Sequence, residues 1–248
     1  MDMNQDTLEK MKELHLSGMY NAFKTSLDNF GGMKMTQDQF VNWLVTNEWD
    51  ERVNRTVSRL IKRANFRYTA SIEEINFSLD RGFDENDIQR LADLSFISEG
   101  KNIFITGSTG TGKSYISSAL GFKACQKGYK VMYANTYRLL GALKEAKAKG
   151  DIIKELKKIE RMDLLILDDF GMHAFDPGSR SLLIDIFEDR FDRRSTIIAS
   201  QIPVSEWHSS IGDATIADAI LDRIVYQAIR LELQGESLRK KKAGNQLK

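Results

Sequence analysis

Apolar residues near the N-terminus recur at helical spacing. Leu8, Met11, Leu14, Met19, Phe23 and Leu27 predict one helix over residues 7–30, with Gly18 as the point of a possible break and Gly31-Gly32 as its end. Thr36 and Gln39 have the spacing of a capping box, so a second helix is expected to start there and run through Trp43 and Trp49 to about Ala64. Both tryptophans are expected in the core of a small all-helical domain. Residues 66–99 are mixed; "SLDRGFDEND" reads as a loop leading into a short helix that ends at Gly100. The boundary is placed within 65–76, giving a helical domain over 1–70 and a second domain over 71–248.

After Gly100 the pattern changes to short apolar runs separated by helical stretches. The runs at 102–106, 130–134, 164–168, 196–200 and 229–233 lack polar alternation, as strands covered on both faces do. Helices are expected at 113–127, 137–160, 178–193 and 214–228. The alternation predicts an α/β domain with a central parallel five-stranded sheet, right-handed crossovers, and ligand sites at the carboxyl ends of its strands.

Composition narrows the function classes. Lys plus Arg number 36 against 35 Asp plus Glu, a net charge of +1, so any polyanion site must be local rather than a property of the whole surface. Cys125 is the single cysteine, which excludes an internal disulfide and a cysteine-based zinc site. His15, His173 and His208 lack metal-ligand spacing. The N-terminus has no signal-peptide pattern, and no apolar run nears the roughly 18 residues that span a bilayer. A soluble cytoplasmic protein that makes no membrane contact is expected.

The candidate chemistry begins at "GSTGTGKS", Gly107 to Ser114, which fits G-x-x-x-x-G-K-[ST] between a predicted strand and a predicted helix. Gly107, Ser108, Thr109, Gly110, Thr111 and Gly112 would turn backbone N–H groups around phosphates. Lys113 would reach the β and γ phosphates, Ser114 would offer its hydroxyl to Mg²⁺, and Tyr115 would extend the loop's contact with ATP. Some 50 residues on, "LLILDDF" carries Asp168 to a strand end, where it can hold Mg²⁺. Asp169 can then orient or deprotonate an attacking water. "TIIASQIP" ends another strand at Ser200-Gln201, and Gln201 can place its amide on that water or the γ phosphate. Arg223, in a helix that buries Ile216, Ile220 and Ile224, is left on another face, from which it could reach a neighbouring subunit's nucleotide.

In this order the segments resemble an AAA+ ATPase of the initiator and helicase-loader clade, and in particular the IstB-like ATP-binding helper proteins of bacterial insertion sequences. Beyond the P-loop, "LHLSGMYNAF", "EWDERVNRTVSRLIKRANF", "LLILDDFG", "SQIPVSEWH" and "GESLRK" carry the resemblance over nearly the whole chain. It implies ATP and Mg as cofactors, self-assembly on duplex DNA, and delivery of that DNA to the transposase of the same element. It assigns Walker A to Gly107–Ser114, Walker B to Asp168 and Asp169, sensor 1 to Ser200-Gln201, an arginine finger acting in trans to Arg223, and a sensor 2-like ATP contact to Arg239. The usual C-terminal helical lid is expected to be absent. Asp169 stands where many relatives of this fold carry Glu, which predicts slow or stimulated hydrolysis, and Gln201 stands where Asn is common.

Residues 52–68 contain Arg52, Arg55, Arg59, Lys62, Arg63 and Arg67 and no acid, with the first four on one helical stripe. This is the first candidate DNA surface; a partner-protein surface or a solvated face fits the same pattern. Lys144 and Lys147, within 138–161, form the second, and Lys240, Lys241 and Lys242 could add phosphate contacts. No recognition-helix pattern is present, so binding is expected to be largely independent of base sequence. A replicative helicase loader, a small-molecule P-loop kinase and a nucleotide-gated scaffold remain as alternatives.

Overall fold

A computed structural model describes residues 2–28, 35–77 and 82–238. The chain divides into two compact units, Met1–Arg59 and Leu60–Lys248. The division falls N-terminal to the 65–76 segment in which the sequence places the boundary, because Ala64, Ala70, Ile72 and Ile75 are buried in the core of the second unit.

The first unit contains α1 (Met3–Glu13), α2 (Ser17–Asp28) and most of α3 (Gln37–Ala64). The single helix expected over 7–30 is two, and the break lies at residues 14–16, where His15 adopts a φ of 56°. Gly18 instead sits inside α2, because α3 passes too close for a side chain. A Cβ there would lie 2.3 Å from the Asn47 carbonyl oxygen. The close approach has a use in the fold: the Gly18 and Met19 N–H groups donate to Glu48 Oε2 at 2.8 and 3.2 Å. A carboxylate from α3 thus satisfies first-turn donors of α2 that the helix itself leaves orphaned. The expected capping box forms, with Gln39 N–H donating to Thr36 Oγ1 at 3.4 Å and Thr36 N–H to Gln39 Oε1 at 3.0 Å. Trp43 is half-buried against Phe40, but Trp49 is 69% exposed, contrary to the expected core position. The inward stripe of α3 runs through Leu44 and Glu48, and Trp49 is turned about 100° away from it.

The second unit is built on β1 (Ile103–Gly107), β2 (Val131–Asn135), β3 (Leu164–Phe170), β4 (Ser195–Ser200) and β5 (Ile229–Leu233), all within about one or two residues of the runs expected. Every pairing is parallel, in the order β2-β3-β4-β1-β5. Alternation along each strand feeds two cores: Leu164 and Ile166 face one, Leu165 and Leu167 the other. The first core is closed by α4 (Glu85–Ala92), α5 (Ser95–Ser98) and α6 (Lys113–Gln126), and the second by α7 (Thr136–Ala148), α8 (Ile152–Glu160), α9 (Pro177–Arg190), α10 (Trp207–Ile211) and α11 (Ala214–Val225).

Two expected helices are each interrupted. The stretch 137–160 breaks around Gly150, whose φ is 80°, and the short helix before Gly100 breaks at Leu94, whose φ is 61°. Arg190 is fully buried where α9 ends, donating to the carbonyls of Ile159 and Met162, both at 2.9 Å, and to Ser195 O and Thr196 Oγ1. Burial pushes the Cys125 thiol up to about 12, so it remains a packed, protonated thiol. No described helix is long and apolar enough to cross a membrane.

Candidate functional site

The loop after β1 is shaped by its glycines. Gly107, Gly110 and Gly112 have φ values of 141°, 86° and 109°, a region that side chains disfavour. Close neighbours reinforce the choice, since a Cβ on Gly107 or Gly110 would collide with Leu233 O or Ser237 Oγ. Leu238 N–H donates to Gly110 O at 3.0 Å, pinning the segment after β5 to the loop tip. The Lys113 ammonium is buried inside the loop and donates to the Gly107 and Ser108 carbonyls at 2.6 and 2.7 Å. Lys113 and Ser114 open α6, whose first N–H groups point into the same space.

Facing this loop is the carboxyl end of β3. Asp168 is 1% exposed, and its Oδ1 accepts from Ser114 Oγ at 3.0 Å. Its Oδ2 accepts from Tyr133 Oη, and its backbone carbonyl from Thr136 Oγ1 at 2.9 Å. Burial, together with the adjacent Asp168 charge, pushes the Tyr133 phenol far up, so it acts as a donor. At Asp169 the chain takes a φ of 57° and the β3–β4 register shifts, which turns this carboxylate out of the strand alternation. Asn135 Nδ2 donates to its Oδ2 at 2.9 Å. Arg67 Nη1 stands 3.4 Å from Asp168 Oδ2 and 3.4 Å from Asp169 Oδ2.

Past β4, the two residues of the third segment separate in role. Ser200 is buried and donates to Phe170 O at 2.7 Å, fixing the ends of β3 and β4 together. Gln201 faces the loop, where Thr109 Oγ1 donates to its Oε1 and its Nε2 donates to Met172 Sδ at 3.2 Å. The enclosed space is a cavity of about 440 Å³ lined by Tyr68, Gly110, Lys113, Asp169, Gln201 and Leu238 among others. The Ser114 hydroxyl lines this cavity and is bonded to the buried Asp168 carboxylate, and that pair suits a hard divalent cation such as Mg²⁺, which takes one or two carboxylates and completes its shell with water and phosphate oxygens. Among the described residues no cluster of three His, Cys, Asp or Glu competes as a softer metal site.

The remaining expected residues fall elsewhere. Arg223 does not line this cavity; its Nε donates to Glu188 and its Nη1 to Ala219 O at 2.7 Å. Arg52 pairs with Glu48 at 2.6 Å, while Arg55 contacts Ser17 Oγ at 2.8 Å and Glu51 at 3.4 Å. Arg59, Lys62 and Arg63 are exposed, with no ion pair among the described residues. Lys144 binds Asp176 at 2.6 Å and Lys147 is exposed. The Lys144 ammonium, with Ser179, holds the Asp176 carboxyl far below the usual range. Arg239, Lys240, Lys241 and Lys242, and with them the segment bearing on a lid, lie outside the described residues.

Sequence reasoning missed Tyr68, Tyr133, Asn135, Thr136 and Leu238, and assigned Arg67 only to the basic stretch. Tyr133 and Asn135 could be found only once β2 was known to neighbour β3, with Asn135 in register with Asp168.

Residues 9–246 match the family model described as IstB-like ATP binding protein. The chain is 38% identical over 234 residues to the putative insertion sequence ATP-binding protein y4pL of Sinorhizobium fredii, an alignment spanning 94% of this chain and 96% of that protein. It is 36% identical over 238 residues to y4uH of the same organism, spanning 96% of each. Among solved structures it resembles the DnaC helicase loader with a TM-score of 0.55 and 21% identity, over 67% of this chain and 98% of that one. That likeness is one of fold, that of a parallel α/β sheet flanked by helices.

Proposed function

The chain belongs to the IstB-like ATP-binding proteins, and from that premise we propose that it is the ATP- and Mg²⁺-dependent ATPase of an insertion sequence. On this reading it assembles on duplex DNA with little regard to base sequence and hands that DNA to the transposase of the same element. The observation that carries the nucleotide chemistry is the 3.0 Å hydrogen bond from Ser114 to Asp168, which joins the phosphate loop to the acidic end of β3.

The loop N–H groups and Lys113 bind the phosphates, with Lys113 exchanging its two carbonyl partners for phosphate oxygens. Ser114 and Asp168 would hold Mg²⁺, which when bound neutralises charge on the phosphate oxygens. Asp169, steadied by Asn135, orients the attacking water, and Gln201 lies within the same cavity to bond water or γ phosphate. Arg223 acts on the nucleotide of a neighbouring subunit, which ties ATP occupancy to assembly. The names of y4pL and y4uH favour this reading over a helicase loader, since the likeness to DnaC is of fold alone.

The test is sedimentation of the purified protein with and without duplex DNA, in ATP or ADP, with phosphate release followed in the same samples. Large complexes that need both ATP and duplex DNA, together with turnover, are the expected result. A particle of unchanged size in all four conditions would overturn assembly on DNA, and absence of phosphate release on DNA and transposase would overturn the ATPase.

A further inference from the structure

Arg67 lies where the sequence pattern offers no reason to place it. After α3 the chain turns at Asn65, whose φ is 57°, and Phe66 packs against Phe122 and Tyr133 with ring centroids 4.5 and 6.2 Å away. Ala70 is buried just beyond. These anchors fix the backbone so that the Arg67 side chain reaches two adjacent carboxylates, which would otherwise repel one another inside a partly enclosed site.

The contact has an unusual form. A single nitrogen sits 3.4 Å from one oxygen of each aspartate, in place of the two short parallel bonds a guanidinium makes with a carboxylate it grips firmly. The Arg67 side chain is 44% exposed, while the Asp168 side chain is buried. A solvent-accessible cation, whose guanidinium carbon also lies 5.5 Å from the centroid of the Tyr68 ring, therefore offsets the charge of a buried acid.

Arg67 also has somewhere to go. A second cavity, of about 580 Å³, lies on the other side and is lined by Asn65, Asn135, Arg138, Asp168 and Asp169 with Arg67. Arg67 and Asp169 line both cavities, so their contact forms part of the wall between them.

We propose that Arg67 is a resident counter-cation of the Asp168–Asp169 pair, which a divalent cation must displace to reach Asp168. This rests on the reading of Asp168 as a metal ligand. A doubly charged ion at about 2.1 Å attracts a carboxylate oxygen roughly three times as strongly as a single charge at the observed 3.4 Å, which offsets part of the ion's dehydration as Arg67 leaves. Arg67 thereby sets a threshold: it halves the charge of the acidic pair until a cation arrives, and its side chain is released when one does.

The experiment is a titration of nucleotide-free protein with Mn²⁺, a stand-in for Mg²⁺, reading the decrease of the free-ion spin-resonance signal. Arg67→Ala and Arg67→Gln are each expected to bind Mn²⁺ at least fivefold more tightly than the wild type. Arg67→Lys should stay near the wild-type value, and adding Asp168→Asn to Arg67→Ala should abolish the gain. Two neutral variants guard against one that misfolds, and thermal melting checks both. Equal or weaker Mn²⁺ binding by the neutral variants, or no detectable binding by either, overturns the proposal. A fluorescent ATP analogue added to the same samples separates the two readings: failure of the wild type to bind it would sink the nucleotide site, while the Mn²⁺ comparison still decides the role of Arg67.

Discussion

Gly107 and Leu233 are register partners on β1 and β5, and a Cβ on the glycine would stand 2.2 Å from the leucine carbonyl oxygen. The phosphate loop therefore starts against a backbone wall, at a φ of 141° that an alanine would strain. Gly107→Ala is expected to lower stability by about 1–3 kcal/mol, the usual range for overpacking, and to weaken ATP binding more than tenfold. Denaturant midpoints and titration with a labelled nucleotide check the two effects separately. Unchanged ATP affinity would mean that the loop tolerates a shift at its first residue.

Lys113→Ala should abolish ATP binding, whereas Asp169→Asn should preserve it and slow turnover at least 10²-fold, the low end for removal of a general base. Arg223→Ala should also stop turnover, and it removes the ion pair with Glu188 besides. Mixing Asp169→Asn with Arg223→Ala discriminates the role of the arginine. If it completes a neighbour's site, intact sites and intact fingers meet in mixed assemblies and phosphate release returns. A mixture as inactive as its parts would refute action in trans.

The ion pairs of α3 change which cations should matter for DNA. Arg52 is committed to Glu48 and Arg55 to Ser17 and Glu51, while Arg59, Lys62 and Arg63 are exposed. Replacing Arg59, Lys62 and Arg63 by Gln is expected to flatten the dependence of log affinity on log salt by about 0.9 for each phosphate that the variant no longer neutralises. Replacing Arg55 alone should change it less. Duplex titrations from low to moderate salt measure both, and an unchanged slope in the triple variant would remove α3 from the DNA surface.

Glu48 predicts an acid-sensitive first unit. Burial pushes its carboxyl up, but the hydrogen bonds from Arg52 and from the Met19 and Gly18 N–H groups outweigh burial and hold it below the usual glutamate range. The folded state thus favours the ionised form. Its contribution is complete above the unfolded value of about 4.3 and fades as pH falls through the lower folded value. Glu48→Gln should cost about 1–3 kcal/mol near neutrality, with the gap to wild type closing below about pH 4. Thermal unfolding across that range tests it; a gap independent of pH would assign the destabilisation to packing.

The phosphate loop, the strand carrying Asp168 and Asp169, and the capping box of Thr36 and Gln39 were legible in the sequence because each is local. A glycine pattern, an apolar run or an i,i+3 pair states its own backbone requirement. The five strands were legible for the same reason, since strands covered on both faces are unbroken apolar runs. What surrounds the acidic pair was decided by tertiary structure. Tyr133 and Asn135 reach Asp168 and Asp169 only because β2 lies beside β3, and strand order leaves no mark on any one segment. Arg67 reads as one more charge in a basic stretch until the turn at Asn65 and the packing of Phe66 carry it across roughly 100 residues of sequence to the aspartates. Gly18 and Trp49 were misplaced by periodicity, which gives the spacing of a helix face but not which neighbour that face meets.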